Sequence, residues 1–316
     1  MAAGTSLRPL CSDLAIALRE ELAGDLGAHR GREHVGGESG RGKGGDVTFA
    51  IDERAESLME SFLAERAPEV AFYSEDRGMV RPAGREASWV LVVDPIDGTR
   101  PALAGFESAC VSVAAARLDA EPTMGDVEVG CIVEIKTGRR FLAQRGAGLD
   151  PAPSLSQNTE LDRMFWSYGL RGRPARMTVE VLAELIDASS VGGATFDLGS
   201  ATYDMTRVAS GQLDAYVEPG PRIVADVRGA REAFERVGGG TVLNNSPYDL
   251  AAAALCLREA GAVVTDAYGD PLDDRPLLGS GAEFQISCVT AANPRLHAKI
   301  CTALDAGIAR LADLGR

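Results

Sequence analysis

Histidine is scarce in this chain, with three among 316 residues. His29 and His34 are five apart with Gly31 between them, which misses the four-residue spacing that puts two metal ligands on one helix face. The six cysteines (Cys11, Cys110, Cys131, Cys256, Cys288, Cys301) form no CxxC pair and no framework spacing. Most sit in apolar runs such as Ala109-Cys110-Val111, which indicates reduced core thiols in a cytoplasmic protein rather than a zinc site or a disulfide scaffold. No basic region followed by an apolar core opens the sequence, and no apolar run reaches the roughly 20 residues of a membrane span. A secretory signal and a membrane partner are therefore not expected. Positive charge is short as well: 32 Lys and Arg stand against 46 Asp and Glu, a net charge of −14. Such a surface repels a nucleic-acid polymer. It does not repel every phosphate, because a bound divalent cation inverts the local field.

What is present is ordinary globular composition, 45% hydrophobic and 25% charged, enough for one large domain or two packed halves. Apolar residues recur at helical spacing over residues 9–23 and again from Ile51 to Leu63, the second helix ending before Pro68. Between them, Gly24 to Gly45 is rich in glycine and charge and reads as a mobile loop or hairpin. Strands are expected at Val70–Tyr73, Trp89–Val93, Cys110–Ala115, Val127–Ile135 and Arg139–Gln144, with Lys136-Thr137-Gly138 as a hairpin turn. The second half alternates: helix at Val179–Ile186, helix at Ala201–Ser210, strand at Leu213–Val217, helix at Leu250–Ala260, strand at Ala262–Thr265. Residues 221–247 form an excursion between a strand and a helix. The fold class expected is a layered α+β or α/β sandwich, with a boundary near Pro151–Leu161 separating an N-terminal half (1–155) from a C-terminal half (156–316).

The chemistry concentrates in Trp89-Val-Leu-Val-Val-Asp94-Pro95-Ile96-Asp97-Gly98-Thr99. A buried strand ends in two aspartates three apart that bracket a proline, so a turn can aim both at one point. Carboxylates are hard oxygen ligands suited to Mg²⁺, and a turn leaves the Ile96 carbonyl without a ladder partner. The bland alternative is an Asp-Pro turn that caps a helix. A helix starting near Thr99 would turn its free N–H groups towards a bound phosphate.

This run resembles the signature of the inositol monophosphatase superfamily, which also contains fructose-1,6-bisphosphatases and 3′-phosphonucleotide phosphatases. Three further segments extend the resemblance over roughly residues 40–305: Lys43-Gly-Gly-Asp46-Val-Thr48 followed by Asp52 and Glu56, Tyr73-Ser74-Glu75-Asp76, and Tyr248-Asp249-Leu-Ala-Ala-Ala-Ala254 followed by Glu259-Ala-Gly-Ala-Val-Val-Thr-Asp266. The resemblance implies that Glu75, Asp94 and the Ile96 carbonyl hold one metal while Asp94, Asp97 and Asp249 share a second. It implies that Thr99 and Glu75 activate the attacking water, with Lys43, Asp46 and Thr48 in a supporting network that can reach a third metal. The expected function is Mg²⁺-dependent hydrolysis of a phosphomonoester on a polyol, sugar or nucleotide metabolite, with two or three Mg²⁺ ions, in a cytoplasmic homodimer. The alternatives are a phosphatase of an unusual specialised-pathway metabolite and a non-catalytic phosphometabolite-binding protein of the same fold.

On the substrate side the resemblance adds Gly98, Asp197, Ser200 and Glu218. Arg100, where the family often has a polar residue, is expected to contact a second anionic group. Asp52 and Glu56, one helical turn apart, read as capping or solvated carboxylates. The basic run Arg171 to Arg176 is a further candidate for reshaping specificity.

Overall fold

The computed structural model describes residues 6–26, 50–84, 86–118 and 121–314. Lys43, Asp46, Thr48, His29, His34 and most of the glycine-rich stretch lie outside these residues. In chain order the elements are α1 (Leu7–Leu26), α2 (Ala50–Arg66), β1 (Ala71–Ser74), β2 (Gly78–Val80), β3 (Trp89–Asp97), α3 (Thr99–Ala104), β4 (Cys110–Arg117), β5 (Val127–Glu134), β6 (Arg140–Gln144) and β7 (Gly148–Asp150). There follow β8 (Phe165–Tyr168), α4 (Ala175–Ser189), β9 (Ala194–Phe196), α5 (Ala201–Ala209), β10 (Ala215–Glu218), α6 (Gly220–Asp226), α7 (Ala230–Val237), α8 (Pro247–Ala260), β11 (Val263–Thr265), β12 (Cys288–Ala291) and α9 (Pro294–Leu314).

Two sheets alternate with three helical layers. The first sheet has the order β2-β1-β3-β4-β5-β6-β7 and the second β11-β12-β10-β8-β9. In the first, only β1 and β3 run parallel; the remaining pairs are antiparallel. Both faces of this sheet are covered, so its strands read as nearly continuous apolar runs and not as alternating ones. Leu91 and Val93 of β3, with Val129, Cys131 and Val133 of β5, pack against α1 and α2 through Leu14, Leu18, Ala55 and Met59. Val90, Val92 and Ile132 face the other way, onto α5 and α8. Beyond these helices lies the second sheet, whose outer face packs Trp166, Val217 and Val289 against α4, α6, α7 and α9.

The contact between α8 and the first sheet is close. A Cβ added to Gly130 in β5 would come within 2.7 Å of the Ala252 carbonyl oxygen and 3.2 Å of its Cα. The alanines Ala251 to Ala254 are all buried, so this helix lies almost backbone to backbone on the strand.

Several expectations change here. The first helix continues to Leu26, into the stretch read as a loop. The excursion at 221–247 is largely helical, holding most of α6 and all of α7. The helix expected from Leu250 begins three residues earlier, at Pro247.

Candidate active site

Side chains alternate along a strand, and this places Asp94 on the same face as Val90 and Val92, towards α8. The pairing of β3 with β4 then slips: Asp94 faces Ser112 and Asp97 faces Cys110, so two residues of β3 oppose one of β4. This bulge is where Pro95, which has no N–H to give a ladder, is tolerated. It buries the Ile96 side chain on the α1–α2 side, and the Ile96 N–H donates to Asp94 Oδ1 at 3.0 Å. Gly98 follows with φ 90°; an added Cβ would lie 2.5 Å from the Ser108 carbonyl and 2.9 Å from Ser200 Cβ, so only glycine fits.

Asp249 arrives from the opposite direction. Ser246 caps α8, Pro247 opens it, and Asp249 accepts from the Ser246 N–H at 2.6 Å in a reciprocal capping box. The carboxylate oxygens of Asp94, Asp97 and Asp249 come within 4.8 Å of one another. Asp97 is held on its far side by the Ser200 hydroxyl at 2.8 Å and the Thr202 N–H at 2.6 Å. Ser200 thus supports a carboxylate while also capping α5 through Tyr203 N–H at 3.1 Å.

Three carboxylates crowded in a buried place resist ionisation together. Burial and then the charges of Asp97 and Asp249 push the Asp94 carboxyl well up. Asp249 is pushed up to about 8, by burial first and Asp97 second. Asp97 is raised by burial against the pull of its hydrogen bonds. None of the three forms an ion pair among the described residues. The donor set is therefore all oxygen with excess negative charge, which fits a hard divalent cation and little else.

The cluster separates two hollows. One is lined by Asp52, Glu56, Glu75, Asp94, Ile96 and Thr99. Glu75 stands just after β1, and its charge is among those that raise Asp94. The Thr99 hydroxyl can donate to the Ile96 carbonyl at 3.1 Å or to Asp52 Oδ1 at 3.5 Å. Glu56 is buried with its Oε2 lacking a hydrogen-bond partner, and burial pushes its carboxyl up to about 7. The other hollow runs from Asp97 and Asp249 to Arg171, Arg173, Asp197 and Asn245.

The structure thus gathers Glu75, Asp94, Ile96, Asp97, Thr99 and Asp249 at one place and puts Ser200 and Asp197 on the rim of the second hollow. Glu218 does not line it: it is fully buried behind Arg173. Arg100, half-buried on α3, lines neither hollow. Asp52 and Glu56, which follow the first of the resembling segments and otherwise read as capping or solvated carboxylates, face the first hollow. Their spacing on α2 carried no sign of this, since the partner Thr99 lies 47 residues away. Asp204, buried on α5 at the second hollow, also escaped notice; its carboxyl is pushed well up, chiefly by burial.

The family model described as the inositol monophosphatase family matches residues 10–309. The chain belongs to that family. It is similar to the fructose-1,6-bisphosphatase/inositol-1-monophosphatase of Methanothermobacter thermautotrophicus, with 29% identity over 303 residues that cover 92% of this chain and 95% of that protein. It is also similar to the Nus factor SuhB of Vibrio cholerae, with 27% identity over 227 residues, 71% of this chain and 73% of that protein. Among solved structures, an IMPase from Thermotoga maritima superposes with a TM-score of 0.67 at 19% identity, covering 95% of this chain and 98% of that one. That likeness concerns the fold, the same alternation of helices and two sheets.

Proposed function

We propose that the chain is a Mg²⁺-dependent phosphomonoesterase acting on a small phosphorylated polyol, sugar or nucleotide metabolite. The observation that carries this reading is the convergence of Asp94, Asp97 and Asp249 within 4.8 Å beside a hydroxyl–carboxylate pair, Thr99 and Asp52. Glu75, Asp94 and the Ile96 carbonyl would hold one ion; Asp94, Asp97 and Asp249 would hold another. Bound there, Mg²⁺ supplies an acidified water and charge neutralisation for a phosphoryl group.

The chain's own groups do the rest. The Thr99 hydroxyl, donating to Asp52, keeps a lone pair to accept a hydrogen bond from the attacking water, and Glu75 is the base beside it. The Ser200 hydroxyl and the Thr202 N–H fix Asp97 in one orientation. Asp197, exposed on the rim, is placed to accept from a substrate hydroxyl. Lys43, Asp46 and Thr48 keep their assignment to a supporting network.

The cytoplasm is the proposed location, supported by six cysteines that are all free. Among the described residues no helix is long and apolar enough to cross a membrane. A homodimer is proposed on family membership, and light scattering of the purified chain tests it. The deciding experiment for function is phosphate release from a panel of phosphomonoesters with Mg²⁺, repeated after stripping with chelator. Turnover that depends on the ion is expected; undiminished turnover in excess chelator sinks the assignment.

A further inference from the structure

The helix α2 turns a stripe of carboxylates towards the catalytic end of the first sheet. Asp52, Glu56 and Glu60 stand four residues apart, which sets them one above another on the helix surface. Asp52 reaches the Thr99 hydroxyl at 3.5 Å. Glu60 pairs with Arg77 at 3.6 Å, and both side chains of that pair are open to solvent. Glu56, between them, is 2% exposed. Carboxylates are rarely buried to this extent unless something specific engages them.

What engages Glu56 is Ser74, the last residue of β1. Alternation along the strand puts Ser74 on the same face as Phe72, which packs towards α1 and α2. Ser74 is fully buried, and its hydroxyl is hydrogen-bonded to the Glu56 carboxylate. The same hydroxyl accepts from the Arg77 N–H at 3.4 Å. Ser74 pairs with Gly78 across the β1–β2 hairpin, so Glu75, Asp76 and Arg77 form its turn. The turn that carries Glu75 is thus tied to α2 at both ends, by Glu56 through Ser74 and by Glu60 through Arg77. One oxygen of Glu56 is left over. Its Oε2 is buried without a hydrogen-bond partner, although the residue lines the first hollow beside Glu75, Asp94 and Thr99. A buried acceptor without a donor is costly, and a water in that hollow would satisfy it.

We propose that Glu56 is a positioning residue for Glu75. One carboxylate oxygen anchors the Glu75 turn through the Ser74 hydroxyl, and Oε2 accepts from a water of the first hollow that also meets Glu75. Glu56 neither ligates a metal nor exchanges a proton; the proton of the attacking water goes to Glu75. The inference rests on the phosphatase reading and deepens it. A base on a three-residue turn has few covalent restraints of its own, and a misplacement of about 1 Å costs about 10²-fold in rate. Fixing such a group from behind is what a buried carboxylate on a rigid helix accomplishes.

The test measures kcat, KM and the half-saturating Mg²⁺ concentration with an aryl phosphate for the native protein, Glu56→Gln, Ser74→Ala and the double variant. Glu56→Gln keeps the side-chain shape but turns one acceptor into a donor; Ser74→Ala removes the link to the turn. Each single change should lower kcat by about 10- to 100-fold, the usual cost of losing an outer partner of a catalytic group. KM and half-saturating Mg²⁺ should stay within about threefold of native, since neither substrate nor ion is touched. Because both residues act on one turn, the double variant should lose no more than about threefold beyond the worse single one. Ser74→Ala decides the matter alone if Glu56→Gln does not fold. Native kcat in the variants, or losses that multiply in the double variant, would overturn the inference. A loss recovered by saturating Mg²⁺ would overturn it too, by making Glu56 a metal ligand. In each of these cases native turnover upholds the phosphatase. Absence of Mg²⁺-dependent turnover by the native protein would overturn both.

Discussion

Replacing Asp249 with asparagine should move stability and catalysis in opposite directions. The carboxylate oxygens of Asp94, Asp97 and Asp249 lie within 4.8 Å of one another. Two unit charges at that separation repel by about 3.5 kcal/mol at an effective dielectric constant of about 20. The Asp249 carboxyl, pushed up to about 8, lies above the ordinary carboxylate value. The folded chain without metal therefore binds this proton more tightly than the unfolded chain does. Its contribution is fully present below about pH 4 and is lost as pH rises towards about 8. Asparagine keeps the side-chain shape and an oxygen for the Ser246 N–H, so the cap on α8 survives. Removing one charge relieves two repulsions, but shared protons and solvent on the partly exposed side of Asp249 reduce the gain. A net gain of about 2–4 kcal/mol at pH 8, or roughly 3–6 °C for a chain of this length, is expected, shrinking towards zero by about pH 4–5. Thermal melts in chelator from about pH 5 to 9 measure it. With Mg²⁺ the order should invert, because the native site gains a ligand-linked term that Asp249→Asn lacks, and turnover should fall by orders of magnitude. The reasoning fails if the chelated variant melts no higher than the native protein at pH 8, or if both gain equally from Mg²⁺.

Asp52→Asn and Thr99→Val should each lower kcat by about 10²- to 10⁴-fold with little change in KM, since both act on the attacking water; near-normal kinetics in either variant would contradict the pair. Glu75→Gln should likewise fall on kcat, and a large rise in KM at unchanged kcat would mark Glu75 as a substrate-binding residue instead. Away from the site, Arg207→Ala should destabilise by about 3–5 kcal/mol, because it strands Glu134, 2% exposed, without its cation. Urea unfolding measures this, and a loss under about 1 kcal/mol would show that Glu134 finds another partner or is protonated.

Much of this site was legible because its parts are local. A buried run ending in Asp94-Pro-Ile-Asp97-Gly-Thr99 specifies strand, bulge and turn within eleven residues. The Ser246-Pro-Tyr-Asp249 capping box was equally readable, and would have started α8 at Pro247 and not at Leu250. Leu296, Ile300, Leu304, Ile308 and Leu311, all buried on one face of α9 behind Pro294, carried a helical period that went unread. What was out of reach is tertiary. The approach of Asp52 to Thr99, the withdrawal of Glu218 behind Arg173, and the absence of Arg100 from both hollows depend on how distant segments meet. Local spacing encodes none of these meetings. The proposed division at 155/156 falls between β7 and β8, yet Asp249, from the later half, sits on a helix laid against the earlier sheet.

That helix has a bearing on how the protein can fail. Because α8 rests on β5 without intervening side chains, nothing between Gly130 and Ala252 can be compressed. The position of Asp249 is set by the thickness of a glycine in another strand. A methyl group added at Gly130 would act as a shim, lifting α8 and spreading the three carboxylates without altering one atom of them. Loss of metal affinity in a chain with every ligand intact is the expected symptom of Gly130→Ala. A search confined to polar and charged positions would pass over the cause.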